Sequence, residues 1–227
     1  MKKAFLIIIF LYTGISVSQE IKVIRDFGSW SGASFEKEVV SDYYLKLETQ
    51  LRTFHNASKL DDYILHSQLK YSINNKFDIA GGVRYILDIK RVNKTEHNIR
   101  YNIDLEYKKK LTKKLRVRYR LRYQQEFINP YLYIDFFFSS NVQRIYSSAL
   151  RHRLKLNFKY NEKHNIYTAF EIFRIFEIFR APHFSKTRFF LGNKMNRFDV
   201  AIGLEKELNS SYPYSFIFVK TVYTVKK

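Results

Sequence analysis

From about residue 28 the chain alternates apolar and polar residues in runs separated by short breaks. The clearest run is residues 115–123, L-R-V-R-Y-R-L-R-Y. Leu115, Val117, Tyr119, Leu121 and Tyr123 alternate with Arg116, Arg118, Arg120 and Arg122. Strand side chains point to opposite faces in turn, so this is a strand with one greasy face and one cationic face. A helix would scatter both sets around its axis. The greasy face meets either a protein core or lipid, and the rest of the chain decides which.

The same pattern predicts strands over 29–38, 43–53, 62–73, 77–89, 98–108, 115–127, 149–160, 165–175, 187–194, 198–208 and 214–223. Breaks at 39–42, 74–76, 109–114, 161–164 and 195–196 are short. Those at 54–60, 90–96, 128–148, 176–186 and 209–213 are longer. Short periplasmic turns alternating with longer external loops are the habit of outer-membrane barrels. The strand lengths also suit a tilted bilayer crossing, which takes about 9–11 residues. The expected fold is therefore all-β, an antiparallel up-and-down transmembrane β-barrel of 10–12 strands. Bacterial single-chain barrels have even strand numbers. Twelve is preferred, with residues 20–27 (E-I-K-V-I-R-D-F) as the extra strand; the alternative is that one weak run is not a strand and the barrel has ten. Gly81-Gly82 in mid-strand suggests a bulge, or a bend with a close lumenal neighbour.

Composition sharpens this. Of 227 residues, 18 are Tyr and 21 Phe against one Trp, and there is no Cys. Disulfides, thiolate metal sites, thiol nucleophiles and a lipoprotein anchor are therefore excluded. The net charge of +19 would suit nucleic acid or an anionic surface. The N-terminus argues against nucleic acid. Lys2 and Lys3, the apolar run 4–12 and the small residues Ser16 and Ser18 form a secretory signal, with cleavage expected between Ser18 and Gln19. The apolar run is too short for a transmembrane helix, which needs about 20 residues. Two domains of sequence follow: a signal over 1–18, and one barrel over 19–227 whose charge, without Lys2 and Lys3, is +17. The expected location is the outer membrane of a Gram-negative bacterium.

The polar faces carry both signs. The candidate lumenal network comprises Glu48, Arg52, Arg84, Arg100, Asp104, Glu106, Arg116, Arg118, Arg120, Arg122, Arg151 and Arg153. Neighbouring strands place Asp104 and Glu106 beside the four arginines of 115–123. Small barrels fill their interiors with side chains, so the network is expected to hold the barrel shut. The alternative is a channel or binding site for small anionic solutes, since arginine binds carboxylate and phosphate bidentately. The aromatic segment from Ile128 to Ser148 is a candidate loop for a protein partner.

Catalytic chemistry finds little footing. An interfacial lipid hydrolase would need a Ser/His pair. Ser147 and His152 fall on opposite faces of one strand, and Ser148 and His152 share a face but lie about 13 Å apart. His55, His97, His164 and His183 fall in loops or turns. No metal motif or phosphate-binding glycine loop is present, and no cofactor is expected. A soluble periplasmic β-protein is the remaining alternative.

Several short stretches occur in order along the chain: D-F-G-S-W (26–30), F-E-K-E (35–38), L-E-T-Q-L-R (47–52), G-G-V-R-Y (81–85), D-L-E-Y-K-K-K (104–110) and R-Y-R-L-R-Y (118–123). In these the chain resembles an exported Bacteroidota family, domain of unknown function 2490. The resemblance implies an outer-membrane β-barrel. It brings no activity and no catalytic residues. The resulting expectation is a small outer-membrane protein of structural or accessory role, in contact with membrane lipid and without catalysis.

Overall fold

The computed structural model describes residues 23–89, 95–128, 146–177 and 180–226. The expected export signal, residues 20–22 of the expected extra strand and residues 129–145 of the aromatic segment lie outside the described residues.

The described chain is all strand and turn. In order come β1 (Ile24–Val40), β2 (Tyr43–Phe54), β3 (Lys59–Ser72), β4 (Phe77–Ile89), β5 (Thr95–Lys110), β6 (Leu115–Ile128), β7 (Tyr146–Lys159), β8 (His164–Glu177), β9 (Arg180–Met195), β10 (Phe198–Glu207) and β11 (Tyr214–Lys226). Each pairs antiparallel with the next, and β1 pairs with β11 to close the barrel. The described residues form eleven strands. Residues 24–27 do not form a strand of their own; they begin β1, which runs on without a break to Val40. An odd count sends the first and last strands the same way, so the closing pair is parallel, from Ile24 opposite Tyr214 to Glu36 opposite Lys226. The preference for twelve rested on the even-number habit, which a parallel seam removes.

Alternation fixes what lies inside. On β6 the arginines point inward, and Tyr119 and Tyr123 are exposed on the outer wall. The outer wall is a continuous apolar belt: Leu47, Leu51, Leu65, Leu69, Ile79, Val83, Ile103, Leu105, Leu154, Phe170, Phe189, Leu191 and Ile202 are all exposed. Along β6 this row spans about 27 Å at the usual strand rise, or roughly 20 Å of height at a barrel tilt of about 40°. Aromatic pairs gather at the short-turn end of the same wall. Tyr43 stacks on Tyr71 with centroids 4.7 Å apart, Phe77 meets Tyr107 at 5.1 Å, and Phe198 meets Tyr223 at 5.1 Å.

The short turns are built alike. The Asn74 side-chain oxygen accepts the amides of Lys76 and Phe77. Thr112 does the same for Lys114 and Leu115, and Asn161 for Lys163 and His164. The Asn and Thr side chains thus mimic a backbone turn. At the opposite end two expected long loops are short. Residues 55–58 make a tight turn before β3, and most of 176–186 belongs to β8 and β9. The loop-length asymmetry is therefore weaker than the sequence suggests. The strand pattern underestimates these elements because β3 and β9 begin with polar residues.

No bulge occurs at Gly81-Gly82, where the register with β3 and β5 is unbroken. Gly82 faces inward, and a Cβ there would press on the Ser67 carbonyl, His66 and Asn102. Gly81 faces outward into open space. Gly203 is more constrained: a Cβ on it would fall within the ring of Phe218, which is itself fully buried. Gly203→Ala is expected to destabilise the folded barrel by about 1–3 kcal/mol through overpacking. Gly81→Ala should change stability by less than about 0.5 kcal/mol. Urea midpoints of the two folded variants check the contrast.

Candidate functional site in the barrel lumen

The lumen has two halves. One wall, from β2 to β9, is charged. Asp104 on β5 stands opposite Arg122 on β6, and they form a two-pronged pair at 2.6 and 2.7 Å. Gln68 donates to the same carboxylate at 2.9 Å, and Arg120 lies 3.9 Å from it. Two strands away, Glu171 on β8 is completely buried among four guanidiniums. Arg151 approaches it at 2.6 Å, Arg153 at 3.2 Å, Arg120 at 3.9 Å and Arg188 at 4.0 Å. These come from β6, β7 and β9, so one carboxylate ties four strands together. Arg188 also pairs with Glu205 on β10.

The other half is aromatic. Trp30, Phe54, Tyr167, Phe190, Phe216 and Phe218 pack as one buried cluster with Ala169 and Ala201. Trp30 stacks on Phe218 across the seam at 3.6 Å. The halves meet at Trp30, whose ring lies under Arg52 at 4.2 Å and Arg188 at 5.0 Å. Lys155 sits over Tyr167 at 3.5 Å. A guanidinium on an aromatic face is attracted by the ring quadrupole, the more so when water is excluded.

The candidate residues fall into distinct places. Arg122, Arg120, Arg151 and Arg153 converge on Asp104 and Glu171 at mid-lumen. Glu48 pairs with Lys46 on its own strand at 2.6 Å, Arg52 with Asp62 at 3.3 Å, and Arg100 with Glu126 at 2.5 Å. Arg118 reaches Glu106 only at 3.7 Å, with its side chain 39% exposed. Arg116 lines a basic mouth at the short-turn end. Arg84 has its Nε buried with no acceptor among the described residues. Glu171, Glu205 and Asp78 lie on the polar faces that alternation predicts; the gathering of four arginines on Glu171, Arg188 itself, the Lys108–Asp78 pairing at 2.6 Å and the aromatic cluster are not legible from it. A signal existed for the last: the inward positions of β10, Ala201 and Gly203, are too small to fill a lumen alone.

The Ser/His candidates are not brought together. The His152 ring points outward, its Nδ1 at 2.7 Å from the Tyr119 hydroxyl, while the Ser148 hydroxyl donates to the Phe176 carbonyl. His66 is buried in the lumen opposite Arg84.

A separate clasp stands at the open rim, beyond the apolar belt. His55, Asn56 and Ala57 all adopt left-handed backbone, with φ of 54°, 55° and 61°, a conformation costly for residues with a Cβ. Asp26 accepts the amides of His55 and Asn56 at 2.9 and 3.0 Å, and the Tyr214 hydroxyl donates to it at 2.5 Å. One carboxylate thus joins β1, the β2–β3 turn and β11. Burial alone would push its pKa up. The Tyr214 hydroxyl and the amides of His55, Asn56 and Phe27 outweigh that and lower it to about 2.

A family model described as "Protein of unknown function (DUF2490)" matches residues 27–204. The chain belongs to this family. A search of curated proteins finds no match. The DUF2490 span takes in the arginine strand, Asp104 and Glu171, and runs from β1 to mid-β10; β11, which closes this DUF2490 barrel, lies beyond it.

Two outcomes follow from this geometry. Glu171→Gln should cost about 3–5 kcal/mol, because it leaves the buried guanidiniums of Arg151 and Arg153 uncompensated. Arg118→Gln, at the half-open mouth, should cost about 0–1 kcal/mol. Denaturant titration of the folded protein separates them. For Asp26 the folded carboxyl titrates below its ordinary 3.8, so its contribution is full above 3.8 and lost as pH falls toward 2. The stability gap between wild type and Asp26→Asn should therefore be largest above about pH 5 and close as the pH approaches 2, as read by unfolding at a series of pH values.

Proposed function

We propose that this DUF2490 chain is an exported outer-membrane β-barrel of structural or accessory role, with a filled lumen and no catalysis of its own. The observation that carries the reading is the inverted distribution of polarity. The outer wall of a closed barrel is an exposed apolar belt, whereas the interior holds buried arginines and carboxylates. A water-soluble barrel would present the opposite faces, and monomeric soluble proteins rarely expose apolar patches beyond a few hundred Å². The belt height of roughly 20 Å, from strand rise and tilt, is close to the ~25 Å apolar band of bacterial barrels. The signal pattern of residues 1–18 and the aromatic pairs at one rim support the same placement. Cleavage near Ser18 and Gln19 would release the barrel to the periplasm for insertion, with membrane lipid as the partner of the belt.

The filled lumen supports a non-conducting barrel. Ion pairs occupy one side and stacked rings the other, and between cavities of about 440 and 260 Å³ toward the two ends the central space narrows to about 120 Å³. Membrane fractionation with heat-shifted gel mobility tests the placement: the protein should sediment with outer membranes and change mobility on boiling. A soluble, unshifted protein would sink the reading. In planar bilayers the purified barrel should give no steady conductance, and a stable open pore would refute the closed lumen.

A further inference from the structure

The charges at mid-lumen do not balance. The central cavity is lined by nine lysines and arginines and by two carboxylates, Glu48 and Glu171. Three further carboxylates reach these cations from outside the lining: Asp62 on Arg52, Asp104 on Arg122 and Glu205 on Arg188. Nine cations thus face five carboxylates, leaving four positive charges in excess. A sixth carboxylate, Asp199, accepts from the Tyr167 hydroxyl at 2.6 Å and acts on Lys220, but it acts likewise on a tenth cation, Lys155, so the excess stays at four. Lys186 shares Glu205 with Arg188, which widens the imbalance.

Donors are in excess as well as charge. The Nε groups of Arg84, Arg120 and Arg151 are buried and have no acceptor among the described residues. Arg84 stands in register beside Arg100 on β5 and His66 on β3, so its strand neighbours offer no carboxylate. Arginine cannot shed its proton to relieve this. A buried cation without a counter-charge is strongly disfavoured.

The geometry points to a binding site in this cavity for one small multivalent oxyanion of the phosphate or sulfate type. Guanidinium forks match the oxygen edges of such an anion, and the match is both charge-assisted and directional. The cavity of about 120 Å³ has room for roughly four waters at the ~30 Å³ each occupies in the liquid. That suits a single tetrahedral oxyanion.

The way in is marked by the arginine strand. At the short-turn end a cavity of about 440 Å³ is lined by Lys110, Lys113, Lys114, Arg116, Arg118 and Lys159, with no carboxylate in its lining. From this vestibule Arg116, Arg118, Arg120 and Arg122 step inward at about 6.6 Å per alternate residue to the central cavity, which Arg120 and Arg122 line. A basic cleft with low-dielectric walls concentrates anions at its mouth. On the far side a cavity of about 260 Å³ shares Arg52, Arg84, Arg151 and Arg188 with the site but is lined also by Asp62, Asp88 and Glu126, so an anion is favoured at the central position. The inference rests on the lumen alone and holds for this barrel in any location.

The test uses the full-length mature barrel purified in a nonionic detergent. Calorimetric titration and thermal unfolding are run with inorganic phosphate, sulfate and chloride at equal ionic strength. Phosphate or sulfate should bind saturably at one site per chain and raise the unfolding temperature above that in chloride. Arg84→Gln should weaken this binding at least tenfold. Because the cations around Arg84 (Arg52, Arg100 and Arg122) outnumber the one carboxylate acting on it, Glu48, the variant should unfold no lower than wild type in chloride. Lys113→Gln at the vestibule should leave the affinity within about twofold. Equal behaviour in phosphate, sulfate and chloride would overturn the site, and needs no variant. Unchanged binding by Arg84→Gln, or loss of binding by Lys113→Gln alone, would overturn it in favour of the outer lysines.

Discussion

The parallel seam between β1 and β11 is the constraint on which the barrel depends. With eleven strands no other closure is possible, and a parallel pair is slightly weaker per residue than an antiparallel one. The chain reinforces this pair from the inside. Trp30 of β1 stacks on Phe218 of β11, the Ser34 and Thr224 hydroxyls meet at 3.0 Å, and Asp26 holds Tyr214 at the rim. The glycines nearby follow from the same need. Gly28 leaves room for Phe216, and Gly203 for Phe218. Rings large enough to brace a seam demand bare backbone on the strands beside them.

Closure also decides how the charged wall is held. Once the barrel is shut, every inward side chain on β6 must find a partner across the lumen or on an adjacent strand. Asp104 serves Arg122 directly, and Glu171 gathers Arg120, Arg151, Arg153 and Arg188. Arg188 in turn lies over Trp30, the ring that braces the seam. The electrostatic half and the aromatic half are thereby one connected unit. Loss of Glu171 loosens not only its own wall but the cation that presses on the seam.

Much of this was legible in the chain. Residues 77–89 form β4 as alternation predicts, and β2, β6 and β10 start where expected. The facing of Leu115, Val117, Tyr119, Leu121 and Tyr123 away from the arginines follows from period two alone. What alternation could not give was closure. Strand count and seam direction depend on which ends meet, and nothing in residues 20–27 distinguishes an extra strand from the start of β1. The blurred pattern of β8 has a physical cause as well. Its inward face carries Tyr167, Ala169 and Phe173 beside Glu171, so both faces are apolar and the contrast fades. A strand that contributes to an aromatic plug hides its orientation from a polarity test.

The arginine strand shows why depth matters more than residue type. Its four arginines share one face, yet each has a different setting. Arg122 is almost fully enclosed in a two-pronged pair, Arg120 is divided between two carboxylates at 3.9 Å, Arg118 is loosely held near the mouth, and Arg116 opens onto the vestibule. Asp104 and Glu106 on β5 cannot neutralise all four, and the next wall adds Arg151 and Arg153 against the single Glu171. A barrel that had only to stay shut would be served by matched pairs, or by more of the apolar filling that it already uses beside the seam. The excess of cations is therefore not explained by closure. It lies at mid-lumen beside the aromatic filling, behind a mouth that carries the same sign. An interior arranged in that way favours a small anion over any neutral or cationic occupant.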